Sequence, residues 1–317
     1  MNHKLEILKM IEAGKISVEE GLELIEAAEQ TERIESDSIN EEEQYTYGRT
    51  ERETLKNFDV ALVSCKLNIE RSNVEDVTIE LLNPQTRELV EKPDWLQFYE
   101  EENYIAIKEK RSGSFGDLIN FFKDPGENNL FKTIFINIKL PMNLVVDQGK
   151  FSSVSGNLSA IGLNGVDFTF KTVSGKVYMT GVKAQVIKGK STSGSVISED
   201  VKCESGVYGS TSGRLKITGQ HGTAKGKTVS GSIEFDGGDE IKEADFSTVS
   251  GKIDIKVETP EKYNLSMDSL SGGIDPSGFA VVDKDISGKR RVNVSNRSED
   301  RWIKASTVSG KILFDKK

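Results

Sequence analysis

Thr172-Val173-Ser174-Gly175-Lys176-Val177 is the stretch whose reading decides the fold, because it returns. Val154-Ser155-Gly156-Asn157-Leu158 comes before it. Thr192-Ser193-Gly194-Ser195-Val196, Thr211-Ser212-Gly213-Arg214-Leu215 and Val229-Ser230-Gly231-Ser232-Ile233 come after it. Val249-Ser250-Gly251-Lys252-Ile253, Leu270-Ser271-Gly272-Gly273-Ile274 and Val308-Ser309-Gly310-Lys311-Ile312 complete the series. From Ser155 through Ser174, Ser193, Ser212, Ser230 and Ser250 to Ser271 the spacing is nearly constant. Ser309 follows Ser271 at twice that spacing, which reads as two steps, with Ser287-Gly288-Lys289 as a worn copy between them.

A fixed period of about 20 residues marks a solenoid, in which each unit buries its apolar face against its neighbours. Between the Ser-Gly pairs, Val166-Asp167-Phe168-Thr169-Phe170-Lys171-Thr172-Val173 alternates apolar and polar residues, as does Ile253-Asp254-Ile255-Lys256-Val257. Period two is the strand signal. The expected fold is therefore mainly β: a single-stranded, parallel β-helix-like solenoid of about 19-residue turns over residues 58–317. The repeat register predicts Val173, Val177, Val196, Leu215, Val229, Ile233, Val249, Ile253, Val308 and Ile312 as core. The Ser-Gly pair reads as a structural corner, with Gly supplying unusual backbone freedom and Ser bonding to the nearby backbone. Whether this glycine bends the chain or faces inward stays open.

Residues 1–30 read as a helical hairpin: Leu5, Leu8 and Ile11 share one face, Gly14 caps it, and Ser17-Val18-Glu19-Glu20 opens a second helix lined by Val18, Leu22 and Ile25. Such a hairpin is too short to bury its own core. Leu8, Ile11, Leu22 and Ile25 are thus candidates for self-association or for a protein partner. Residues 31–57 read as an acidic flexible linker. Residues 1–57 carry 7 basic and 15 acidic side chains, so the N-terminal part holds nearly all of the net charge of −9. Residues 111–131 interrupt the strands with an apolar segment in which Phe115, Leu118, Ile119, Phe121 and Phe122 form a candidate patch for weak contact with a membrane, the cell envelope or a partner.

Charge excludes a nucleic-acid partner, which needs a basic footprint. A basic n-region followed by an apolar stretch is missing, as is any run of about 18 apolar residues, so the expected location is cytoplasmic, with membrane or cell-surface association as the alternative. Cys65 and Cys203 both fall on inward positions of alternating strands and read as core thiols.

Chemistry is poorly supplied. Only His3 and His221 are histidines. Gly222-Thr223-Ala224-Lys225-Gly226-Lys227-Thr228 is one residue short of a phosphate loop and runs into a strand, so it is rejected. Lys176, Arg214, Lys252, Lys289 and Lys311 recur after Ser-Gly, with no carboxylate ladder found at equal offset. No catalytic residue, cofactor site or metal site is expected, and the reading is of a non-enzymatic binding or scaffold protein. A carbohydrate-active enzyme built on a β-helix is the rival class.

The Thr-Val-Ser-Gly-Lys-Ile repeats, preceded by Ile138-Lys139-Leu140-Pro141 and Leu144, resemble the putative-adhesin β-strand-repeat family of bacteria. The hairpin resembles the short helical domain that precedes such repeats in Gram-positive members. The resemblance implies a β-solenoid linked to cell-envelope stress or the antimicrobial-peptide response, or else a cell-surface adhesin. It offers no catalytic residues to carry over.

Overall fold

Alternation in sequence becomes alternation of side-chain direction in an extended strand. Along Gly165–Thr172 the side chains of Phe168, Phe170 and Thr172 are buried, and the residues between them point out. The computed structural model describes residues 55–109, 134–238, 240–277, 290–294 and 301–317. The expected helical hairpin lies outside these residues.

The chain winds in rungs, each with one strand in a front ladder and one in a back ladder. The first rung is β1 (Leu55–Leu62) and β2 (Lys66–Ser72). β3 (Thr78–Leu82) and β4 (Leu96–Glu101) follow, then a second rung of β5 (Tyr104–Glu109) and β6 (Phe135–Pro141). The regular rungs are β7 (Val145–Ser153) with β8 (Leu158–Ile161), and β9 (Gly165–Thr172) with β10 (Val177–Thr180). β11 (Lys183–Ser191) leads into β12 (Val196–Ser210) and β13 (Leu215–Thr228). These two long strands pass from the back ladder to the front without a break. Then come β14 (Ile233–Gly237), β15 (Glu243–Thr248), β16 (Ile253–Val257), β17 (Asn264–Ser269), β18 (Ile274–Pro276), β19 (Arg290–Val294), β20 (Trp302–Thr307) and β21 (Ile312–Lys316).

Successive rungs pair in parallel, one repeat apart: Val177 sits beside Leu158 on one side and Val196 on the other. The expected mainly-β fold with parallel stacking is what the structure shows, as one curled, solenoid-like sheet. The ends depart from sequence order. The β5–β6 rung docks outside β1–β2, so the first rung is flanked by β5–β6 and β7–β8. At the other end β20–β21 slides between β15–β16 and β17–β18. Ser271 and Ser309 therefore stand on neighbouring rungs, the Ser271 amide donating to the Val308 carbonyl at 2.9 Å. The two corners are adjacent, and the Ser287-Gly288-Lys289 copy expected between them lies outside the described residues. Antiparallel strands β3, β4 and β19 cover the outer edges of β6, β5 and β17, and Pro276 interrupts the short remaining edge. Covered or proline-broken edges discourage end-to-end pairing with another chain.

Buried side chains from both ladders fill the interior. Phe151 and Phe170 stack with centroids 5.2 Å apart, and Phe235 lies 4.7 Å from Phe246. Each such side chain contributes roughly 2–3 kcal/mol by leaving water. Val177, Val196, Leu215, Ile233, Ile253 and Ile312 are fully buried as expected. Val173, Val249 and Val308 are not: they are 44–46% exposed, and Val229 is half-buried. The alternation explains this correction. Thr172 completes the strand facing inward, so the next residue must face out at the corner. The inward side chain of each Thr-Val-Ser-Gly is that of the first residue.

That buried hydroxyl organises the corner. Ser191 Oγ accepts the Gly194 N–H at 2.8 Å and donates to the Gly175 carbonyl of the neighbouring rung at 2.9 Å. Ser210 repeats both bonds with Gly213 and Gly194. The hydroxyl three positions before the glycine, not the serine beside it, carries the recurrent role. A Cβ on Gly175 would land on the Gly156 carbonyl, so this glycine is required by close approach of two rungs. Positive φ belongs to the opposite corner, at Gly162 (65°), Gly181 (63°) and Asp200 (52°).

The first rung hides a copy of the motif. Val63-Ser64-Cys65-Lys66-Leu67 occupies the corner register of Val154-Ser155-Gly156, with Leu67 beside Leu158. On its outer side, the Val63 and Ser64 amides donate to Glu109 Oε2 at 2.6 and 3.0 Å, where later corners bond to a carbonyl of the neighbouring rung.

Candidate functional site

All nine residues singled out from sequence as contact points, Leu8, Ile11, Leu22, Ile25, Phe115, Leu118, Ile119, Phe121 and Phe122, lie outside the described residues. The described residues carry two other features: a lysine-rich front face and a buried polar cluster.

Outward positions of the front ladder form columns along the solenoid axis. One column runs Asp59, Lys150, Thr169, Lys188, Val207, Lys225, Asp245, Lys304, Ser266. Lysine occupies every second rung of it from β7 to β20. The adjacent outward column contributes Lys171, Lys190 and Lys227. The front strands from β7 to β13 also bear Lys183 and Lys202, making eight lysines against the acids Asp147, Asp167 and Glu204. Eight cations less three anions leave this strip at +5 in a chain of net −9. Sequence reading misses it because no two lysines of one column are near each other along the chain. The signal is a doubled repeat: Lys150, Lys188 and Lys225 follow one another at two repeat lengths.

Beyond β13, front-face cations pair with neighbouring acids. Lys304 pairs with Glu243 at 3.3 Å, and Arg291 on β19 pairs with Asp268 at 2.5 Å.

The back face has no continuous carboxylate ladder beside its basic column, since Leu313 stands between Asp254 and Asp275, but it does hold ion pairs. Carboxylates do accompany the cations that follow Ser-Gly: Arg214 pairs with Glu234, Lys252 with Asp254 at 2.7 Å, and Lys311 with Asp275 at 3.6 Å. Glu234, Asp254 and Asp275 all stand three positions after a corner glycine. The Lys311–Asp275 pair is invisible in sequence because it depends on the exchanged order of the last two rungs. Each such exposed pair contributes about 0.5 kcal/mol.

Inside, Ser198, Cys203, Tyr208 and His221 come together where β12 meets β13. Tyr208 Oη is 2.9 Å from His221 Nε2, and Ser198 Oγ is 3.4 Å from Tyr208 Oη. Burial lowers the His221 pKa to about 4; the nearby Gly219 carbonyl opposes the shift, although Nδ1 makes no hydrogen bond of normal geometry. Burial pushes the Cys203 thiol up to about 12, partly countered by its bond to the Tyr208 hydroxyl. His221 is 1% and Cys203 6% exposed, so this cluster faces no solvent. Cys65 is buried too, in agreement with the reading of both as core thiols. The Gly222–Thr228 run is itself the end of β13, and the strand expected to follow it at Val229 is instead a corner. No group of three or more His, Cys, Asp or Glu residues among the described residues is placed to hold a metal ion. No helix among them is long and apolar enough to cross a membrane.

The Toastrack DUF4097 family profile matches residues 55–313, essentially the whole strand region. A SHOCT-like domain profile matches residues 4–33, the segment read from sequence as a helical hairpin. No curated protein matches the chain. Among solved structures, a putative cell adhesion protein from Clostridium sporogenes ATCC 15579 is similar at 10% identity, over 84% of this chain and 93% of that one, with a TM-score of 0.22. A likeness that weak supports no statement about this chain.

Proposed function

This chain belongs to the Toastrack DUF4097 family, and from that premise we propose a non-enzymatic binding or scaffold protein that serves the bacterial cell-envelope stress response. The observation that carries the reading is the front face. A stacked sheet fixes its outward side chains at one rung per about 4.8 Å, a rigid array suited to recognition of an extended partner. On the back face, the Glu234 and Asp254 carboxylates are engaged by Arg214 and Lys252.

The proposal extends to the likeness with LiaX, a daptomycin-sensing surface protein, supported by the Ser-Gly repeats and the segment that precedes them. It includes self-association or partner binding through Leu8, Ile11, Leu22 and Ile25, and weak envelope contact through Phe115 to Phe122. An adhesin is the same binding reading with the protein exposed outside the cell.

Fractionation of the native host, before and after challenge with an envelope-active antibiotic, is the test. The expected result is association with the envelope fraction that increases on challenge, and protease treatment of intact cells separates an exposed adhesin from an internal factor. Protein confined to the cytosol and unmoved by the antibiotic overturns the proposal, as does turnover of a cell-wall polysaccharide by the purified protein.

A further inference from the structure

The front-face column has a spacing that invites a ligand of matching period. Lys150, Lys188 and Lys225 stand on alternate rungs, which places them about 9.5 Å apart along the axis. Lys150 and Lys225 are exposed and Lys188 is half-buried. None of the three is in a salt bridge among the described residues. Lys171, Lys190 and Lys227 stand in the adjacent outward column.

What lies between the lysines narrows the ligand. The intervening positions are Ser152, Thr169, Val207 and Gly209, small or hydroxyl-bearing residues with Val207 half-buried. No exposed aromatic or large aliphatic side chain falls within these columns from β7 to β13. A nucleic acid strand is held in large part by bases stacking on aromatics, and a membrane surface by inserted apolar side chains. Neither is supplied here. A flexible chain with a charge at every repeat and no bases needs only the cations and a smooth, polar floor.

We propose that the Lys150–Lys188–Lys225 column is a binding rail for a linear chain of repeated phosphate groups lying along the solenoid axis. The proposal deepens the binding reading given above and rests on it. Two sources share this chemistry, inorganic polyphosphate and a polyol-phosphate polymer of the cell wall.

Binding of the full-length protein to size-graded inorganic polyphosphate and to poly(glycerol phosphate) is measured by calorimetry over a range of salt concentrations. Long chains are expected to bind at low salt and inorganic triphosphate much more weakly, because a short anion cannot reach from one lysine to the next. The variant K150S/K188T/K225T introduces residue types already present on this face. It is expected to weaken binding on the order of tenfold or more and to flatten the slope of log affinity against log salt by about 2, the share of three phosphate contacts. K176S/K256S/K311S removes the same charge from the back face and is expected to leave binding unchanged. Circular dichroism melts confirm that both variants fold.

Whichever of the two polymers binds more tightly identifies the source, and either sustains the rail. Equal loss in both triple variants, triphosphate binding as tightly as long chains, or no binding at all overturns it. So does tighter lysine-dependent binding of single-stranded DNA or of phosphatidylglycerol vesicles. Should no phosphate chain bind while the protein still fractionates with the envelope, the rail fails and the binding reading stands. If the rail binds but the protein is confined to the cytosol and unmoved by antibiotic, the rail stands and the envelope reading fails.

Discussion

The Tyr208 hydroxyl and the His221 imidazole are bonded to each other inside the solenoid at 2.9 Å, from neighbouring rungs. Their rings meet edge to face with centroids 5.8 Å apart, and His221 in turn lies 6.1 Å from Phe235. The imidazole is therefore used as a neutral core ring, with Tyr208 as its polar partner.

A pH dependence follows from that burial. The folded pKa of His221 is about 4, against an unfolded value near 6.5. Between these values the unfolded chain binds a proton that the folded chain refuses. The histidine's contribution is thus complete above about pH 6.5 and is lost as pH falls through about 4, by about 3 kcal/mol in all. Urea melts at neutral and mildly acid pH should show this loss in the wild type and a smaller one in His221→Leu. Parallel pH profiles for the two proteins would rule out His221 as the source.

Thiol reactivity should be equally silent. Cys65 and Cys203 are both buried, and the Cys203 pKa of about 12 leaves almost no thiolate at neutral pH. A thiol reagent such as Ellman's should label neither cysteine in the native protein and both after denaturation. Rapid labelling of one thiol in the folded protein would contradict the described burial.

Two glycines should respond to alanine for different reasons. In Gly175→Ala the new methyl meets the Gly156 carbonyl of the next rung, which must move; a loss of about 3 kcal/mol is expected. Gly162 has open space around it but a φ of 65°, so Gly162→Ala should cost only about 1–2 kcal/mol of left-handed backbone strain. Denaturant midpoints of the two variants would separate the mechanisms, and equal losses would mean that rung approach is not the constraint at Gly175.

The corner hydroxyl gives a second pair. Thr172→Val preserves shape but leaves the Gly175 N–H without its acceptor and removes a donor to the Gly156 carbonyl. A loss of about 2 kcal/mol is expected. Ser174 is exposed, and Ser174→Ala should change stability by less than about 0.5 kcal/mol. The reverse order of effects would return the structural role to the serine of the Ser-Gly pair.

The sequence discloses whatever depends on the repeat alone. Period and alternation lead to parallel strands, and six of the ten named core residues are fully buried. The errors come where a single step of register matters. Val173 and its equivalents read as interior because they are apolar, yet the strand delivers Thr172 inward and the corner turns Val173 out. The Val63-Ser64-Cys65 copy escapes notice because its third residue is not glycine. Rung order at the ends cannot be read at all, since the doubled interval from Ser271 to Ser309 fits either two successive steps or an excursion and return. The lysine column needs that register before its members, far apart in sequence, can be recognised as neighbours.

The exchanged order of the last rungs has a consequence for synthesis of the chain. β17 and β18 are made before β20 and β21, yet they reach the stack only through them, since β20 and β21 lie between that rung and β15–β16. Everything up to β16 can assemble one rung at a time as the polypeptide leaves the ribosome. After that, β15 and β16 keep open edges until β20 and β21 are made. β17 and β18 gain their parallel partners only when β20 and β21 have been made. During that interval the nascent protein shows an unpaired parallel edge, and it is then that a chaperone would have something to hold.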